Sequence, residues 1–180
     1  MTIEIRHPEP EDAGDLLRSI NTAFLAPPSR DPAMATFWID QVKPDLQRTW
    51  AAFDRGSAVG SLRSVPFELT VPGGGTVPAD GVTLVTVAPT HRRRGLLTGM
   101  MAQDLAAAAE RGDAVSILIA SEWRIYGRYG FGPATEAAEW TIDKLRVGAP
   151  VPTGGLEQVS TERLLELGAP VYDRARRQRA

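Results

Sequence analysis

The stretch from Val82 to Ala109 constrains this chain most. Val82-Thr83-Leu84-Val85-Thr86-Val87 is a short apolar run rich in β-branched residues, and it reads as a strand. Ala88-Pro89-Thr90-His91 forms a loop. Arg92-Arg93-Arg94-Gly95 then leads into a helix on which Leu97, Met101 and Leu105 recur every four residues, and Ala106 to Ala109 are good helix formers. Gly112 is placed to cap its end. A helix start has backbone N–H groups without partners and the positive end of the helix dipole. Together these bind phosphate. Gly95 removes a side chain where an anion would approach, and three arginines add charge-assisted hydrogen bonds that match phosphate geometry. The pattern suits a diphosphate. It is not a Walker loop, because GxxxxGK(S/T) is absent, and GxGxxG does not follow the strand.

The rest of the chain supplies a sheet and helices around this unit. Ile3 and Ile5 alternate with polar residues and predict a strand over 2–6. Acidic residues at 9, 11 and 12 open a helix that carries Leu16, Leu17, Ile20 and Phe24 and stops at Pro27-Pro28. A second helix is expected over about 32–42. Strands are expected at Trp50–Phe53, Ala58–Val71, Val115–Ala120 and, as one or two, within Glu136–Leu145. Asp54-Arg55-Gly56-Ser57 and Pro72-Gly73-Gly74-Gly75 are turns, and Ser121 is placed to cap a short helix to about Arg128. Residues 149–155 read as a linker, and Leu164, Leu165, Leu167 and Val171 as a helix beyond it.

With 180 residues the chain can bury one substantial core. Hydrophobic residues at 43% and charged residues at 23% are those of a globular protein, and no apolar run reaches a membrane span. No charged-then-apolar leader opens the sequence, so a cytoplasmic address is the simple reading. Without cysteine there is no disulfide, no thiolate metal site and no cysteine nucleophile, and two histidines are too few for a histidine-rich metal site; the expected metal is none. A net charge of −2 argues against a general polyanion binder, so neither nucleic acid nor membrane is an expected partner. The basic tail around Arg174–Arg179 reads as a solvated helix face.

Val85 to Thr98 resembles the acetyl-coenzyme A motif of GNAT acetyltransferases, whose general pattern is Q/R-x-x-G-x-G/A. Arg92 and Gly95 fit it, and Leu97 stands where that pattern has glycine or alanine. Ser121-Glu122-Trp123-Arg124-Ile125-Tyr126-Gly127-Arg128-Tyr129-Gly130-Phe131-Gly132-Pro133-Ala134-Thr135 resembles the enhanced-intracellular-survival (Eis) type. The resemblance covers roughly residues 1–150. It implies an α/β fold of mixed α+β character, with a central, mixed, mostly antiparallel twisted sheet of about seven strands flanked by helices. It places a GNAT domain over 1–148, a linker over 149–155 and the start of a second GNAT-like domain, or a docking tail, over 156–180. Long members carry that second domain and a sterol-carrier-like C-terminal domain, and they assemble as hexamers, which implies a homo-oligomer.

The same resemblance implies the chemistry. Acetyl-CoA is the expected cosubstrate. Backbone groups of Val85, Thr86 and Val87 would contact its pantetheine arm. Arg92, Arg93, Arg94, Gly95, Leu96, Leu97 and Thr98 would surround its diphosphate, and Ser121 and Glu122 would lie beside the arm. Tyr126 matches the general acid that protonates the departing thiolate; read from the residues alone, Tyr126 and Tyr129 are more simply core aromatics, and only the motif singles out Tyr126. Phe24, Phe37 and Trp38 would border the acceptor, a small-molecule amine of aminoglycoside or polyamine type, and Asp31 or Asp40 can attract its charge; read from the residues alone, each is more simply a core or surface residue. In long members the terminal carboxylate is the base, a role not carried to Ala180. The alternative expectation is a coenzyme A-binding fragment without turnover.

Overall fold

The computed structural model describes residues 3–26, 43–136, 138–143, 145, 148, 154–155 and 157–178. The second helix expected over 32–42, and most of the expected linker, lie outside the described residues. Packing divides the chain into two units: Met1–Leu69 with Thr76–Ile125, and Thr70–Gly75 with Tyr126–Ala180.

The first unit is built on one sheet. Its strands are β1 (Glu4–Arg6), β2 (Thr49–Asp54), β3 (Ser57–Thr70), β4 (Thr76–Val87) and β5 (Val115–Ile117), in the spatial order β1-β2-β3-β4-β5. β1 and β3 both run antiparallel to β2. Arg55 and Gly56 join β2 to β3 with φ of 52° and 79°. Two left-handed residues are what a two-residue hairpin loop needs to follow the strand twist. β4 and β5 are parallel, with the helix α2 (Leu96–Arg111) between them in sequence. A parallel pair requires such a crossover.

A helix packs on each face. α1 (Ala13–Ala23) opens where Asp12 Oδ2 accepts the Glu9 N–H at 2.8 Å, the acidic start read from the sequence. Leu16 and Ile20 then bury against Leu46, Ala51 and Phe53. On the other face a Cβ at Gly60 would meet Met100 Cε of α2 at 3.4 Å and Ala52 Cβ at 3.5 Å. α2 approaches so closely that a Cβ at Gly99 would come within 2.6 Å of Ile5 Cδ1. That contact explains a glycine inside a helix, where it is otherwise unfavourable.

The buried stripe of α2 is Leu96, Met100, Met101, Asp104 and Ala108. The expected stripe of Leu97, Met101 and Leu105 is rotated from it, and Leu97 and Leu105 are half-buried. Asp104 is therefore a carboxyl group on an apolar face. Asp80, fully buried on β4, takes Arg111 Nη2 at 2.7 Å and Arg48 Nη1 at 3.3 Å on one oxygen. Asp104 lies beside Ser64 and Asp80, but neither of its oxygens makes a well-formed hydrogen bond to a described residue. Burial, and then repulsion from Asp80, push its pKa up to about 7.

Several expectations are corrected. The sheet has five strands among the described residues, not about seven. The described part of Glu136–Leu145 forms no strand; Trp140, Ile142 and Leu145 are exposed. The alternation of Trp140 and Ile142 suits a strand, but a strand exists only with a neighbour to pair with. β5 stops at Ile117 rather than Ala120. The expected helix after Ser121 is two single 3-10 turns, Trp123–Ile125 and Gly127–Tyr129, with Gly130 ending the second at φ 91°. β4 starts six residues before Val82. Asp80 and Gly81 disfavour a strand in isolation, but the arginines neutralise one and a Cβ on the other would collide with the Phe67 ring.

In the second unit, Gly73 and Gly74 turn the chain with positive φ, and the Val71 N–H bonds the Gly75 carbonyl at 2.8 Å. Helix α3 (Thr161–Gln178) leaves Leu164, Leu165, Val171 and Tyr172 exposed. No described helix is long and apolar enough to cross a membrane.

Candidate functional site

The paired register of β4 and β5 runs only from Ala79↔Val115 to Gly81↔Ile117. β4 continues to Val87, whereas the chain after Ile117 is not a strand. The edge of β4 past Gly81 is thus not paired to β5. Within that free part Leu84 has φ 49°, a left-handed leucine inside a strand. A left-handed residue breaks the extended backbone as the first residue of a bulge does, and redirects the peptide groups after it.

At the carboxyl end of β4 the chain makes the 3-10 turn Pro89–His91. His91 Nε2 donates to Asp54 Oδ2 at 3.1 Å, and Thr90 Oγ1 lies 2.8 Å from Nδ1. The His91 bond holds the Asp54 carboxyl below its ordinary pKa. This anchor ties the loop to the end of β2. Arg94 folds back so that Nη2 donates to the Thr90 carbonyl at 3.0 Å. Arg92 and Arg93 are exposed, and Arg93 is left-handed at φ 63°.

Gly95 follows at φ 79° as the N-cap of α2, and the first helical bond is Gly99 N–H to Gly95 O at 2.9 Å. A Cβ at Gly95 would meet nothing within 4 Å. Glycine is required there by backbone conformation, and its absent side chain leaves the helix start open. The Leu96 side chain is buried, so only its backbone can face a ligand. The same holds for Thr86, whose hydroxyl lies 2.8 Å from Ser61 Oγ inside the sheet. Val85, Val87 and Leu97 are half-buried, and Thr98 is exposed.

Ser121 and Glu122 are exposed just past β5. Because β4 and β5 are parallel, these residues leave the sheet in the same direction as the arginine loop. Carboxyl ends of parallel strands are where open α/β sheets bind ligands. Phe24 caps the end of α1 and is 51% exposed. Phe37 and Trp38, with Asp31 and Asp40, lie outside the described residues. Tyr126 belongs to the second unit. Its ring meets Phe131 edge to face at 6.0 Å, its carbonyl accepts the Tyr129 N–H at 3.0 Å, and burial, then Tyr129, raise its phenol pKa.

The sequence reading missed the His91–Asp54 anchor and the Ser61–Leu84–Thr86 contacts. Only the hairpin that brings β2 and β3 beside the arginine loop reveals them, and no local pattern marks a buried serine.

An open helix start at a glycine, behind two exposed arginines, is an arrangement that α/β proteins use to hold phosphate. The comparisons narrow that class. Residues 4–134 match the acetyltransferase (GNAT) domain family. An uncharacterized N-acetyltransferase of Streptomyces avermitilis is 46% identical, over 97% of this chain and 43% of its own length. The N-acetyltransferase Eis of Mycobacterium bovis is 40% identical, over 87% of this chain and 40% of its own. The crystal structure of Eis1 from Mycobacterium abscessus superposes with a TM-score of 0.62 at 34% identity, over 74% of this chain and 32% of that one. The chain belongs to the GNAT acetyltransferase family, and its sequence is Eis-like. It spans about two-fifths of the length of the curated relatives it matches.

Proposed function

We propose that this chain binds acetyl-CoA and acetylates an amine of a small molecule, of aminoglycoside or polyamine type. One observation carries the reading. The edge of β4 that β5 leaves unpaired leads to the Arg92–Gly95 turn and the start of α2, where no side chain caps the helix amides. The residues fit the cosubstrate: extended backbone for an amide-bearing arm, and arginines with open helix amides for a diphosphate.

When bound, acetyl-CoA supplies the acyl group as a thioester. Arg92, Arg93 and the amides after Gly95 hold its diphosphate. Val85, Thr86 and Val87 hold its arm through their backbones, with Ser121 and Glu122 beside it. A backbone N–H near Val87 polarises the acyl carbonyl. Tyr126 Oη gives a proton to the departing sulfur, and its raised pKa keeps that proton on the phenol at neutral pH. Phe24, Phe37 and Trp38 border the amine. The same reading places a GNAT domain over 1–148, with 156–180 opening a further domain. It also places the protein in the cytoplasm as a homo-oligomer.

Calorimetric titration with acetyl-CoA tests the binding half, and coenzyme A release with a panel of amines tests the transfer. No heat at millimolar cosubstrate would remove the assignment. Binding without release on any amine would leave a coenzyme A-binding domain.

Arg92→Ala and Arg93→Ala should each weaken acetyl-CoA about tenfold, or ~1.4 kcal/mol, the scale of one charge-assisted contact near water. The loss should shrink as salt rises, because exposed charges are screened. Arg94→Ala should weaken it less, since Arg94 already serves the Thr90 carbonyl. Titrations at two ionic strengths check both points.

A further inference from the structure

We propose that Ser61 is a positioning residue for acyl transfer: its hydroxyl pins the bulge at Leu84 and so aims the backbone of Val85–Val87 at the acyl group. This rests on the reading that acetyl-CoA lies along β4.

Leu84 at φ 49° is the only non-glycine left-handed residue among the described residues of the strands. A branched side chain resists that conformation, so neighbouring structure must hold it. Two holds are visible. The Leu84 side chain packs, partly buried, on the cluster of Leu16, Ile20 and Phe53. Ser61 Oγ donates to the Leu84 carbonyl at 2.6 Å.

Ser61 is fully buried on β3, and its Oγ also lies 2.8 Å from Thr86 Oγ1. A serine hydroxyl has one proton, and Leu84 O takes it. Thr86 therefore donates to Ser61. A single side chain thus grips β4 on both sides of Val85.

The grip sits where position matters. β4 leaves β5 after Gly81, and the Ala88 N–H returns to β3 at Val59 O, 2.8 Å away. Between these points Ser61 holds two of the six residues. If the bulge relaxed into regular strand, the side chains beyond it would exchange faces, and their peptide groups would point elsewhere. The diphosphate grip, made by the loop and α2, would stay in place. Ser61 therefore governs the acyl end of the site separately from the nucleotide end.

The test compares wild type, Ser61→Ala, Ser61→Cys and the double variant Ser61→Ala/Leu84→Gly. Calorimetry with coenzyme A reads the nucleotide end. The carbon-13 signal of carbonyl-labelled acetyl-CoA reads the polarisation of the acyl carbonyl and needs no turnover. For Ser61→Ala the coenzyme A affinity should stay within about twofold, while the bound carbonyl signal returns toward its free value; where an amine is accepted, kcat should fall roughly 10- to 100-fold. Ser61→Cys, close in size but a weak donor, should fall between, and serves if the alanine variant does not fold. Leu84→Gly should restore part of the signal, because glycine takes a left-handed φ freely.

An unchanged carbonyl signal in Ser61→Ala would overturn the clamp alone. Loss of coenzyme A affinity together with the signal would reduce Ser61 to general packing and overturn it too. Wild type that binds neither coenzyme A nor acetyl-CoA would remove the acetyl-CoA reading, and the clamp with it.

Discussion

Tyr126→Phe should lower kcat for acetyl transfer by about 10²- to 10⁴-fold, the range of a positioned general acid, while leaving acetyl-CoA affinity nearly unchanged. The substitution is close to a pure deletion of the proton. Phenylalanine keeps the ring that meets Phe131 edge to face, and the backbone bonds at residue 126 do not involve the hydroxyl. The melting temperature should therefore hold, so that a rate loss is chemical. The pH dependence adds a second check. An acid must be protonated to act, and its contribution disappears as pH rises through its pKa. Burial raises this phenol above its ordinary 10.0. Tyr126 should thus produce no falling limb in the wild-type rate profile below about pH 10. Unchanged kcat in the phenylalanine variant would leave Tyr126 an edge-to-face core aromatic and move the proton donor elsewhere.

The sequence made the strand, the arginine loop and α2 legible because each depends on neighbours a few residues away. Gly95 and Gly112 announce their positive φ by being glycine, and the structure has both there, at 79° and 80°. Leu84 announces nothing. Its left-handed backbone is imposed by packing on α1 and by a serine 23 residues earlier, so the run from Val82 to Val87 looks regular when read by itself. The length of β5 was overestimated for a related reason. Val115 to Ala120 is apolar except for Ser116, and composition does not say where a strand parts from its neighbour. Asp104 did leave a trace. It falls at helical spacing with Met100, Met101 and Ala108, a charge on a greasy face, but its meaning depends on Asp80 from a strand more than twenty residues away.

That buried pair yields the largest stability effect. Asp104→Asn should make the protein more stable above pH 7 and change it little near pH 4.5. The native carboxyl holds its proton up to about pH 7, whereas an unfolded one releases it near 3.8. Between those values the native state binds more protons than the unfolded state, so stability falls as pH rises. The shift corresponds to roughly 4 kcal/mol once pH exceeds 7. Asparagine is a neutral replacement of the same shape, and its amide can donate toward Asp80 Oδ2, which has no well-formed hydrogen bond among the described residues. Asp80 keeps Arg48 and Arg111, and Arg111 keeps Asp113 at 3.0 Å. Other shifted carboxyls do not blur the window. Asp12, Asp15 and Asp54 are all lowered from 3.8, so the stability they add is lost only in more acidic solution, as pH falls through their native values. Melting curves of wild type and Asp104→Asn from pH 4.5 to 8.5 should therefore diverge steadily and run parallel above pH 7. Parallel curves across the whole range would mean that Asp104 is ionised in the native protein, and that Arg48 and Arg111 together neutralise both carboxylates.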